Sequence, residues 1–161
     1  MNLRDSRGAV YVEFLLTFVP LLLFFGALVQ LALVEVGGLM VEHAAVVAAR
    51  AAVVVLPDDP TFYEGAPTNA PTGKRLDDIR RAARIPLLAF EADPKPEVTL
   101  VSASGASAGQ FGPNELVRVR VFYDFPCLLP LGGALVCAGG GGRVRLGAEA
   151  VLPNQGAGYA Y

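Results

Sequence analysis

From Phe14 to Val34 the chain runs 21 residues without a charge, interrupted only by Thr17, Pro20, Gly26 and Gln30. As a helix this run is about 31 Å long, the thickness of a bilayer's ~30 Å hydrocarbon core. One carboxylate, Glu13, stands where the run begins. A charge at membrane depth is costly and usually functional, so its partner has to be named. With 161 residues in all, the chain has room for an anchor and one modest domain.

Basic residues set the expected orientation. Arg4 and Arg7 precede the run, Glu35 and Glu42 follow it, and no Lys or Arg appears until Arg50. The positive-inside rule keeps the N-terminus cytoplasmic and exports the rest. A cleaved secretory signal is the competing account. The run is longer than a secretory apolar region and lacks a small-x-small site at its end, since Ala49-Arg50-Ala51 lies well past it. A formal net charge of −2 argues against nucleic acid as a partner.

The residues around Glu13 carry a resemblance. Arg7-Gly8-Ala9, then Val12-Glu13-Phe14, then a long apolar helix containing Pro20, is similar to the N-terminus of a type IV prepilin. More narrowly it resembles the TadE-like minor pilins, or pseudopilins, of tight-adherence (Tad/Flp) pilus systems. The match covers about the first fifty residues. It implies a leader of residues 1–8, cut after Gly8 by a membrane prepilin peptidase, so that the mature chain begins at Ala9. The new α-amine would be a cation one helical turn from Glu13. That carboxylate can neutralise its own amine or, as the resemblance implies, the amine of a neighbouring subunit in a filament. Further implied partners are a major pilin, other minor pilins, an inner-membrane assembly platform and the lipid bilayer. The plainer reading is a single-span anchor with Glu13 in the headgroup region.

Along the chain, residues 9–56 read as one long helix, membrane-embedded over about 14–34 and amphipathic over 35–56. Pro20, Gly26 and Gly37-Gly38 are candidate kinks. Glu35, Glu42, His43 and Arg50 form a narrow polar stripe. Ala44, Ala48 and Ala52, with Ala45 and Ala49, recur at a spacing that admits close approach by another helix or a sheet. Residues 57–74, rich in proline, read as a loop. Leu76, Ile79 and Ala83 give a short helical face, with Asp77 four residues from Arg81, until Pro86 stops it. Leu87, Leu88 and Phe90 read as core. Three alternating segments follow, around Val98–Ser102, Val117–Phe125 and Val144–Leu152, and antiparallel pairing is expected. The emergent helix is the obvious cover for their apolar face. The expected architecture is thus α+β and membrane-anchored, a helical stem with a small antiparallel β-sheet head over residues 57–161.

Candidate chemistry is sparse. Cys127 and Cys137 bracket a short apolar loop, and in an exported domain a disulfide is the natural reading, against a pair of buried thiols. Two cysteines cannot build a structural zinc site, and the only histidine, His43, is on the stem. Gly105-Ala106-Ser107-Ala108-Gly109 spells a nucleophile elbow, but Phe111-Gly112-Pro113 blocks the helix such an elbow needs, and it reads as a flexible loop. Asp58-Asp59 and Asp77-Asp78 read as solvated charges. Gly139–Gly142 lacks the spacing of a phosphate loop. Arg118, Arg120, Arg143 and Arg145 could share one sheet face, either to bind an anionic partner or to pair locally with Asp124 and Glu149. No enzyme, cofactor or metal is expected. Two functional readings stand: a processed TadE-like minor pilin, with Glu13 setting subunit registration, and an uncleaved, anchored extracytoplasmic binding domain.

Overall fold

The computed structural model describes residues 6–90, 95–102 and 109–155, except the side chains of Ser6, Arg7, Ala9, Pro130, Leu131 and Ala138. A single helix, α1, spans Ser6–Val55. It is followed by α2 (Gly73–Arg84), β1 (Glu97–Val101), β2 (Leu116–Pro126), α3 (Pro130–Val136) and β3 (Arg143–Pro153). Short 3-10 turns lie at Pro60–Tyr63, Ile85–Phe90 and Ala138–Gly140. The layout is α+β, a long apolar N-terminal helix and a three-stranded antiparallel sheet of order β1-β2-β3.

Chain contacts divide the molecule into two compact units. One comprises residues 1–35 and 126–144, the other residues 36–125 and 145–161. The disulfide-bearing segment between β2 and β3 therefore belongs with the apolar half of α1.

In the larger unit the sheet alternates as its sequence does. Every odd residue of β2 from Val117 to Phe125 is buried, and each even one faces outward at intermediate exposure. The register pairs Val98 with Val121 and Leu100 with Val119, which puts all four on the inner face. On the edge strand β3 the same alternation reaches only half-burial.

The cover over this inner face is α1 beyond Glu35. Val41, Ala44, Ala45, Ala48, Ala49, Ala52 and Leu56 are at most 1% exposed, while Glu42, His43 and Arg50 face outward. The helix approaches closely because its contact residues are small. A Cβ placed on Gly37 would stand 2.7 Å from the Phe125 ring and 3.1 Å from Leu146. The alanine ridge is thus consumed by the unit's own core rather than left open for another stem.

Helix α1 is continuous through Pro20, Gly26 and Gly37-Gly38, so these do not break it. Gly37 is a packing position. In α2 the buried face is Arg75, Ile79 and Ala83, not Leu76, because the Arg75 side chain reaches backbone carbonyls beyond its own helix. Asp77 pairs with Arg80 at 3.4 Å and Asp78 with Arg81 at 3.3 Å, both three residues apart, instead of Asp77 with Arg81. Leu87 is buried and Phe90 meets Phe125 edge-on with ring centroids 5.0 Å apart, but Leu88 is exposed. The proline-rich stretch folds into a 3-10 turn at Pro60, capped by the Asp59 carboxylate accepting from Thr61 N at 2.8 Å.

Adjacent glycines give a test with opposite signs. Nothing lies within 4 Å of a Cβ on Gly38, so Gly38→Ala gains helix propensity and stabilises by up to about 1 kcal/mol. Gly37→Ala must displace a buried ring, and overpacking costs about 1–3 kcal/mol, outweighing the propensity gain. Thermal unfolding of the two variants followed by circular dichroism should move Tm up for Gly38→Ala and down for Gly37→Ala.

Candidate functional site

The first half of α1 presents its largest apolar side chains outward. Phe14, Leu15, Leu16, Leu21, Phe24 and Phe25 are all more than half exposed. Phe14 and Phe18 stack at 5.1 Å on the helix surface. The helix is long and apolar enough to cross a membrane, and its most apolar stretch buries none of its residues. A soluble protein rarely leaves so large a contiguous apolar surface open.

Glu13 opens this surface. Its side chain is exposed, and among the described residues no hydrogen bond or ion pair engages the carboxylate. Its backbone carbonyl accepts from Thr17 Oγ1 at 2.9 Å. Gly8 is exposed in the first turn of the same helix, with open space where a Cβ would stand.

In the same unit a disulfide joins Cys127 and Cys137, whose Cα atoms are 6.7 Å apart. The loop it closes rests on α1. The N–H of Leu129 donates to Gln30 Oε1 at 3.0 Å, and Gln30 is fully buried. Gly132 lies against the backbone of Gly26, leaving no room for a side chain at Gly132.

The outer face of the sheet is a lattice of paired charges. Arg118 and Arg120 both hold Glu149, at 3.0 and 2.7 Å. Arg145 crosses above the Phe122 ring, 5.0 Å from its centroid, to reach Glu97 at 2.8 Å. Gly147 leaves space for that ring. Local pairing therefore accounts for Arg118, Arg120 and Arg145, with Glu97 supplying the second carboxylate. The Arg120 hydrogen bond, helped by the nearby Arg118 charge, holds the Glu149 carboxyl below its ordinary value of 4.5 against the opposing effect of desolvation.

Two further arrangements were not legible in the sequence. Arg75 is fully buried at the C-terminal end of α1. It donates to the carbonyls of Val55, Asp58 (2.8 Å) and Ala66 (3.3 Å). The guanidinium lies 4.2 Å from the centroid of the Tyr63 ring. A cation there meets the negative end of the helix dipole and caps carbonyls the helix cannot satisfy. Tyr63 in turn donates to Asp58 Oδ2 at 3.0 Å, so Asp58 and Asp59 hold the turn together instead of standing free in solvent. Burial, then the Asp58 hydrogen bond and charge, push the Tyr63 hydroxyl above its ordinary value of 10.0. Nearby, buried Asn154 donates to Asn69 Oδ1 at 3.0 Å and to the Gly112 carbonyl at 3.2 Å, tying three loops together.

An open cleft of about 560 Å³ lies between the end of α2 and the start of β1 and is lined by Asp77, Arg80, Arg81, Arg84, Lys95 and Glu97, among others. Cations outnumber carboxylates there. Among the described residues no group of three or more His, Cys, Asp or Glu gathers to hold a metal ion. Residues 105–108 of the elbow-like motif lie outside the described residues. No family model, curated protein or solved structure matches the chain.

Two outcomes follow. Arg75→Met leaves three carbonyls without their charged donor and should destabilise the fold by about 3 kcal/mol or more, read as a lowered Tm in detergent. The Glu149 pairing has the sign of a depressed carboxyl. Its contribution is complete above the ordinary value of 4.5 and is lost as pH falls through the lower folded value. The Tm gap between wild type and Glu149→Gln should therefore be constant near neutrality and shrink on acidification through the carboxylate range.

Proposed function

We propose that the chain is a TadE-like minor pilin, or pseudopilin. It is held in the inner membrane by the first half of α1, with its N-terminus cytoplasmic and its sheet domain exported. A prepilin peptidase cuts after Gly8, and the mature subunit takes part in assembling a tight-adherence pilus through helix–helix packing with the major pilin and other minor pilins. An inner-membrane platform is the site of assembly, and the fibre supports adhesion.

The observation that carries this reading is Glu13, a carboxylate with no partner among the described residues, at the head of an outward-facing apolar helix. A lone charge at such a surface is costly until a cation pairs with it, and it marks a functional position. An amine released at Ala9 lies one turn away on its own helix, and the same amine on an adjacent subunit offers the intermolecular pair that fixes axial register. The apolar stripe around Glu13 provides the packing surface, since helices in lipid associate through side-chain packing and buried polar contacts. A second reading, an uncleaved anchored binding domain, is favoured by the cation-rich cleft beside α2 and would place the function in the head.

The two readings separate on one residue. In cells carrying the matching pilus system, Glu13→Val should insert into the membrane normally and abolish piliation, while Glu13→Asp should reduce it. Full piliation by Glu13→Val, scored by electron microscopy alongside membrane fractionation, contradicts the assembly role.

A further inference from the structure

We propose that the disulfide-closed loop of residues 127–137 is a second membrane contact, inserting Leu128 and Leu135 among the acyl chains of the leaflet on the head side of α1. This rests on the reading of the first half of α1 as a membrane span.

The loop is fastened at a depth the helix defines. Its contacts with α1 fall at Gly26 and Gln30. At 1.5 Å per residue these positions lie about 12 and 6 Å inside the apolar run that ends at Val34. Any placement of that run in a bilayer carries the loop into the outer hydrocarbon or the adjoining interface. The sequence fits such a location, because no residue from Phe125 to Gly142 is charged. The surface fits too: Leu128 is 56% exposed and Leu135 is 60% exposed, beside a helix face that is itself apolar and open.

Five backbone N–H groups of the segment have partners, while the buried Gln30 Nε2 has none among the described residues. Irregular chain at membrane depth is tolerated only where its polar groups are satisfied. Here Leu129 N donates to Gln30 Oε1, Cys127 N to the Gly142 carbonyl at 2.9 Å, and Cys137 N to the Gly133 carbonyl at 2.8 Å. Gly133 N donates to the Leu129 carbonyl at 2.6 Å and Gly140 N to that of Cys137 at 3.0 Å. Gln30, the amide within the apolar run, is what receives the loop. The disulfide holds the two ends of the loop together, so it can present Leu128 and Leu135 without the chain unravelling.

The chain contains no tryptophan, so single-tryptophan variants read the environment of one position at a time. The full chain carrying Leu128→Trp, Leu135→Trp or, as a reference within the span, Leu21→Trp is reconstituted in phosphatidylcholine vesicles with ordinary or dibrominated acyl chains. The expected result is loss of fluorescence in brominated vesicles for both loop variants, of the same order as for Leu21→Trp. Quenching of Leu21→Trp alone overturns the loop proposal and leaves the span intact. No quenching at any of the three overturns both. Loop tryptophans that escape bromine and become shielded from acrylamide only at high protein-to-lipid ratio would assign the surface to a second copy of the chain, and would equally overturn the proposal.

Discussion

The backbone of α1 at Gly37 lies close enough to the Phe125 ring that no side chain fits between them. The rest of the larger unit follows from that distance. A helix held so near a sheet must carry small residues along the contact, and the buried alanines from Ala44 to Ala52 do so. The facing strand must supply the volume, and β2 supplies it with Val117, Val119, Val121, Tyr123 and Phe125. The helix must then stop where the sheet's cover ends, which leaves its last carbonyls facing the core. Arg75 answers that requirement by reaching back from α2 to the Val55 carbonyl.

One helix meets two environments, and the size of its apolar residues separates them. Between Val10 and Leu31 the large side chains, Phe and Leu above all, point outward. Beyond Val36 the buried residues are mostly alanine. A soluble core helix does the reverse, hiding its bulky residues and showing its small ones. The inversion is what a helix needs if its first half is solvated by lipid and its second half is solvated by a sheet. Gln30 marks the changeover. Its amide is buried under the disulfide loop rather than turned to the outside.

Much of this was legible because it depends on periodicity. The long helix, the alternation on β2 and β3, and the pairing of Cys127 with Cys137 all leave local marks in the sequence. The outer-face arginines were legible in kind, since alternation put Arg118, Arg120 and Glu149 on one face, but the reach of Arg145 across Phe122 to Glu97 depends on strand order. Arg75 was hidden because its partners are backbone carbonyls, which carry no sequence signal, and because an arginine reads as solvent-facing even where it shares a helix face with Ile79 and Ala83. The Asn69–Asn154 bond joins residues far apart in the chain through two ordinary amides. Gly26 and Gly37 were visible as candidate kinks, but their contacts were not. Glycine in a helix signals either flexibility or close approach, and only the partner, Gly132 or Phe125, distinguishes them.

A pilin subunit differs from a plain signal anchor in whether its N-terminus is processed. The direct measurement is the intact mass of the membrane-extracted protein from cells that contain the matching prepilin peptidase and from cells that lack it. Loss of Met1–Gly8 only in the presence of the peptidase, leaving Ala9 as the first residue, is the predicted result. A full-length chain in both would contradict the pilin reading and leave a signal anchor whose function lies in the domain it carries.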